Sequence, residues 1–108
     1  MPPAVPRQVE IYQTEDGEEP FTDWIKTLRG SGLDGKVAAR LKIVGEGNLN
    51  NSRHVGDGVW ELKFKTNSGP RVYYGVDGNK IIVLCGGLKG SQDRDIERAK
   101  ELWSDYNA

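Results

Sequence analysis

Four cations of the sequence fall where neighbouring β-strands would bring them together. Lys63 and Lys65 lie two residues apart in a run of alternating character, so on a strand both leave the same face, about 6.6 Å apart. Trp60, Leu62 and Phe64 take the other face, toward a core. Arg71 opens the next alternating run, and an antiparallel hairpin returns it close to the lysine pair. Lys89 follows the strand after that. Ammonium and guanidinium groups gathered in this way suit a phosphodiester backbone. The same lysines also fit the solvated outer face of a half-buried sheet, where they discourage edge pairing. Tyr73 and Tyr74 are neighbours on one strand and point to opposite faces, which leaves one of them to stack on a base if the outer face is open.

Other chemistries lack their residues. His54 is the only histidine and Cys85 the only cysteine, so there is no His/Cys metal cluster. Cys85 lies in the most apolar stretch and reads as an inert core thiol; His54, beside a glycine-rich turn, reads as a surface residue. The segment GGLKGS at 86–91 lacks the spacing of a phosphate-binding P-loop. No Ser-His-Asp arrangement and no pair of carboxylates stands out. One cysteine cannot build a disulfide scaffold, and no apolar run approaches the roughly 20 residues of a membrane span. The N-terminus has no signal-peptide stretch, so the expected location is the cytoplasm, with no membrane partner.

The elements that must position these cations follow from periodicity. In a chain of 108 residues one domain is expected over 8–108, after a flexible leader at 1–7. Residues 8–14 alternate as a first strand. Phe21, Trp24, Ile25 and Leu28 share a helical face that begins near Pro20 and ends at the glycines of 30–32. A second helix covers 33–44, with Val37, Leu41 and Val44 on one face, and the two helices form a hairpin. Strands are expected around 60–65, 71–76 and 80–85, the last two joined by a turn at Asp77-Gly78-Asn79. Ser91 is placed to cap a final helix whose face carries Ile96, Ala99, Leu102, Trp103 and Tyr106. The order β-α-α-β-β-β-α implies an α+β domain, with a mostly antiparallel sheet, a helical hairpin and a C-terminal helix, the helices gathered to one side. The net charge is −1, but residues 1–30 carry −3 and residues 60–89 carry +3, which is compatible with one basic face.

The ordered set PFTDW at 20–24, Arg40-Leu41 with Gly47-Asn48, VGDGVWELK at 55–63, GPRVYY at 69–74 and LCGGLKGSQDRDI at 84–96 resembles the "addiction module killer protein" family. That family belongs to the RelE/ParE superfamily of toxins from bacterial type II toxin–antitoxin systems, and the resemblance spans about residues 9–106. It implies a RelE/ParE-like fold and a toxin held inactive by a cognate antitoxin, often a helix-turn-helix DNA-binding protein. It implies further a ribosome-dependent endoribonuclease, or mRNA interferase, that cuts mRNA by metal-free attack of the ribose 2′-hydroxyl on the adjacent phosphate, without a cofactor. Carried over by position, Lys63 is the base, desolvated and flanked by cations. Arg71 and Lys65 clamp the phosphate, Lys89 supplies a further catalytic cation, and Arg94 stands in as an RNA-phosphate contact. The sequence departs from RelE at Glu61, where RelE has a lysine, and around 92–95, where RelE has a tyrosine. Two alternatives stay open: a ParE-like toxin that inhibits DNA gyrase, and a degenerate toxin that only binds its antitoxin.

Overall fold

The computed structural model describes residues 6–66 and 69–108. The chain runs β1 (Gln8–Ile11), α1 (Pro20–Lys26), α2 (Leu33–Gly45), β2 (Ser52–Gly56), β3 (Val59–Lys63), β4 (Arg71–Asp77), β5 (Lys80–Gly87) and α3 (Gln92–Tyr106). The five strands form one sheet in the order β1-β5-β4-β3-β2. Only the β1–β5 pair is parallel; the others are antiparallel. The α+β class with a mostly antiparallel sheet is therefore observed, with one strand more than expected; α1 lies against β5 and α2 against β1, so the two helices do not pack on each other as the expected hairpin. The added strand, β2, is joined to β3 by Asp57 and Gly58, both at positive φ (54° and 84°), the conformation that a two-residue hairpin turn needs.

The helices do not gather to one side. Phe21 of α1 and Val37 and Val44 of α2 share a cluster with Leu62, Val72, Tyr74, Ile81 and Val83 on one sheet face. Ala99 and Leu102 of α3 share a second cluster with Val59, Tyr73, Ile82, Leu84 and Cys85 on the other. The reason lies in the strands: β4 and β5 are apolar on both faces, and a sheet with two apolar faces needs a cover on each. This corrects the expectation for the tyrosines. Tyr73 and Tyr74 do point to opposite faces, but each is 0% exposed beneath helices, so neither is free to stack on a base.

Two further expectations shift. The first strand stops at Ile11, short of residue 14. The leader at 1–7 lies outside the described residues except for its last two, and Arg7 is tied down by a 3.0 Å bond from its N–H to the carbonyl of Gly45. Of the link between the expected strands at 60–65 and 71–76, residues 67 and 68 lie outside the described residues.

Close approach of helix to sheet rests on small residues in β4 and β5. A Cβ on Gly75 would lie 2.4 Å from Cζ3 of Trp103, and one on Gly86 would lie 2.4 Å from the Trp24 ring. Overpacking of this kind costs about 1–3 kcal/mol. Gly75→Ala is therefore expected to lower the thermal midpoint measurably, by roughly 4 °C or more per kcal/mol in a domain of this size. An unchanged midpoint in a thermal melt would show that α3 sits less tightly on β4.

Candidate functional site

β4 and α3 define an axis for the site. Arg71 and Asp77 are the two ends of β4, and Tyr106 near the end of α3 donates to the Asp77 carboxylate at 2.7 Å. The helix therefore lies along the strand, with its N-terminus at the Arg71 end and its C-terminus about 20 Å away. Glu15, Asp16, Glu18 and Asp105 line a cleft with Tyr12 beside the C-terminal end of α3. The cations collect at the N-terminal end.

Register builds the cation cluster. Lys63 pairs with Arg71 across β3 and β4, and Arg71 with Gly87 across β4 and β5. Directly opposed residues share a face, with Cβ atoms about 4.5–5.5 Å apart, so Lys63 and Arg71 are immediate neighbours. Lys89 joins them through Gly69. A Cβ on Gly69 would meet the Cβ of Lys89 at 3.0 Å and Nη1 of Arg71 at 3.1 Å, so both side chains press on the same glycine. Lys63, Arg71 and Lys89 thus lie together at one end of the three central strands. Lys65 is exposed on the link after β3, outside the ladder. Arg94 stands two residues after Gln92, about 200° around the helix, and lines both the groove at the start of α3 and the cleft between α1 and α3 with Pro20, Asp23 and Trp24.

The three clustered cations differ in exposure. Lys63 and Lys89 are exposed, so Lys63 does not have the desolvated setting expected of it. Arg71 is 5% exposed. Its Nη1 donates to the Gly69 carbonyl at 2.8 Å, while its Nε is buried without a hydrogen-bond partner. The counter-charge is Glu61, whose Oε2 lies 3.8 Å from that Nε.

Glu61 is the residue that the sequence reading undervalued. It is 1% exposed, because α3 covers a face that was expected to be solvated. Oε1 accepts from Nε of Arg53 at 2.8 Å, and Oε2 accepts from the Tyr73 hydroxyl at 3.0 Å and the Gln92 amide at 3.2 Å. Burial pushes the Glu61 carboxyl up, but these hydrogen bonds and the Arg53 charge outweigh it and hold the group below its ordinary value. The Tyr73 hydroxyl goes the other way, far above its ordinary value, through burial first and then the neighbouring Glu61 charge.

A carboxyl depressed in the folded state stabilises the fold above its unfolded value of about 4.3, and that stability is lost as pH falls through the lower folded-state value. Acid titration of the wild-type fold is therefore expected to show a loss below about pH 4 that Glu61→Gln lacks. Parallel acid curves for the two proteins would contradict this role.

The start of α3 is fixed beside the cluster. Ser91 stands at the N-cap position, but its hydroxyl bonds the Leu88 carbonyl and the Asp95 carboxylate and makes no cap to the helix N–H groups. Asp95 occupies the space above Gly87, where a Cβ would lie 1.8 Å from Oδ2. Residues Gly90 to Arg94 line an open groove of about 480 Å³ there. Cys85 is buried with its thiol pushed up to about 12 by burial, consistent with an inert core residue. His54 is exposed, and its Nε2 accepts from the Gly58 N–H at 3.2 Å. Among the described residues no three of His, Cys, Asp and Glu come together to hold a metal ion, and no helix is long and apolar enough to cross a membrane.

The sequence reading missed Arg53, Gln92 and Asp95. Arg53 was within reach: a two-residue turn at Asp57-Gly58 folds the chain back near Asp57 and brings residue 53 to residue 61. Gln92 had no such signal, being 31 residues from Glu61.

No family model matches the chain, and no solved structure matches it. An uncharacterized protein of Haemophilus influenzae is 39% identical to it over 83 residues, which is 76% of this chain and 84% of the relative.

Proposed function

This chain belongs to one family with that Haemophilus influenzae protein; from its own sequence motifs and the strand pairing described above, we propose that it is a RelE/ParE-like toxin of a bacterial type II toxin–antitoxin system that cuts mRNA on the ribosome. The observation that carries the reading is the direct pairing of Lys63 with Arg71 beside Lys89. Three cations at one end of a sheet's central strands meet the needs of phosphodiester cleavage by the neighbouring 2′-hydroxyl. That step breaks the 2′-O–H bond, forms a P–O2′ bond and breaks the P–O5′ bond, leaving a 2′,3′-cyclic phosphate and a 5′-oxygen that takes its proton from water. Lys63, exposed at the strand end, stands where a base for the 2′ proton is needed. Arg71 and Lys89 balance the charge that builds on the phosphate oxygens. No step calls for a metal ion or a cofactor. Lys65 and Arg94 lie beside this trio and contact RNA further along the strand. A cytoplasmic location and a DNA-binding antitoxin of helix-turn-helix type complete the reading.

The deep burial of Arg71 favours a second reading, a ParE-like toxin whose target is DNA gyrase, because only 5% of the residue is open to RNA. Induced expression in a bacterial host separates the two. Growth arrest with new cuts inside translated reading frames, mapped by primer extension, supports the nuclease. Arrest with intact transcripts and inhibited supercoiling by purified gyrase would replace it with the second reading. Full growth without a cut would leave antitoxin binding alone.

A further inference from the structure

We propose that Glu61 is a positioning residue for Arg71: a buried carboxylate that stays clear of RNA and sets the angle at which the guanidinium meets the scissile phosphate. The inference rests on the RNA-cleaving reading given above. Its ground is the way in which the two side chains are held. Both Glu61 oxygens are engaged, by donors from β2, β4 and α3. A carboxylate tied to three elements is a fixed point of charge. Arg71 Nε, 3.8 Å from it, is too far for a hydrogen bond and has no other partner. Attraction between the two is therefore Coulombic, and it acts in a setting closed to water, where it is strongest. With Nη1 bonded to the Gly69 carbonyl, the guanidinium is held at one corner by a hydrogen bond and along another edge by charge.

Such a carboxylate works against the binding of a phosphate, since it offsets part of the positive charge that attracts RNA. Its effect on binding and its effect on the reaction therefore have opposite signs. Removing the charge while keeping the shape, as in Glu61→Gln, tightens RNA binding and slows cleavage. A residue that only held the fold together would change the fraction folded and leave the rate per folded molecule alone. Tyr73→Phe and Gln92→Met loosen the carboxylate without removing it, so they test the idea even if Glu61→Gln fails to fold.

The test is steady-state cleavage of a defined mRNA on purified bacterial ribosomes, with rates normalised to folded protein. Misplacement of a group in such a site costs up to about 100-fold, and a loosened anchor is expected to cost about 10-fold in kcat for Gln92→Met and Tyr73→Phe, with KM unchanged. Glu61→Gln is expected to lower both kcat and KM. In an Arg71→Lys background the Gln92→Met effect is expected to vanish, because the anchor then has no guanidinium to aim. Unchanged kcat in Gln92→Met and Tyr73→Phe, or the same loss with and without Arg71, overturns the inference while the nuclease reading stands. Failure of the wild-type protein to cut overturns both.

Discussion

Arg71→Lys is expected to cut mRNA at least about 100-fold more slowly than the wild-type protein while keeping its fold, a loss in the range seen when one preorganised charge donor is removed from a transition state. Lysine keeps the charge at this end of the sheet and its pairing position opposite Lys63. It loses the planar fork, and with it the bond that Nη1 makes to the Gly69 carbonyl while Nε faces Glu61. Lysine is also more strongly hydrated, so it resists a position that is 5% exposed in the wild type and tends to reach for water. Primer extension on programmed ribosomes reads the rate, and far-ultraviolet circular dichroism reads the fold. Wild-type cleavage by Arg71→Lys would remove Arg71 from the site.

Glu61→Leu is expected to be the most destabilising single change in the sheet, by about 3–5 kcal/mol, because it leaves the Arg71 charge buried without its counter-ion. The Arg53 contribution is small by comparison, since the Arg53 side chain is 64% exposed and its ion pair is screened by water. Tyr73 and Gln92 lose an acceptor at the same time, and the Tyr73 hydroxyl becomes a buried donor without a partner while the half-buried Gln92 amide can turn to water. In a domain of about 100 residues such a loss lowers the thermal midpoint by more than about 12 °C. Glu61→Leu combined with Arg71→Met removes both charges and is expected to recover much of that loss, since a pair replaced by apolar groups of similar volume is often neutral. Thermal melts of the single and double variants measure both effects. A double variant no more stable than Glu61→Leu would show that the carboxylate stabilises the fold without Arg71.

The order of elements was legible because each periodic run is bounded by glycine or proline. Phe21, Trp24, Ile25 and Leu28 mark α1, and the apolar run of 80–85 marks β5. The second cover of the sheet was not legible. Alternation along a strand separates two faces but does not say that both are covered, and Glu61 and Lys63 look alike on that basis. The helix reaches Glu61 and stops short of Lys63, so one is buried and the other exposed. β2 escaped notice because Arg53 and His54 are exposed and the strand has five residues, too few for a clear period. In the site, neighbours joined by a hairpin could be paired from sequence, as Lys63 and Arg71 were. Contacts made by folding α3 back over the sheet could not, and these are what bury Glu61.

The nuclease reading comes down to whether this end of the sheet breaks a phosphodiester with the substrate's own 2′-oxygen. The most direct measurement is cleavage of an mRNA on purified ribosomes in the presence of a chelator, beside the same mRNA carrying a 2′-deoxynucleotide at the scissile position. Cleavage that withstands the chelator and disappears with the 2′-deoxy substitution is the expected result. Cutting that persists without the 2′-hydroxyl, or no cutting of either RNA, would contradict it.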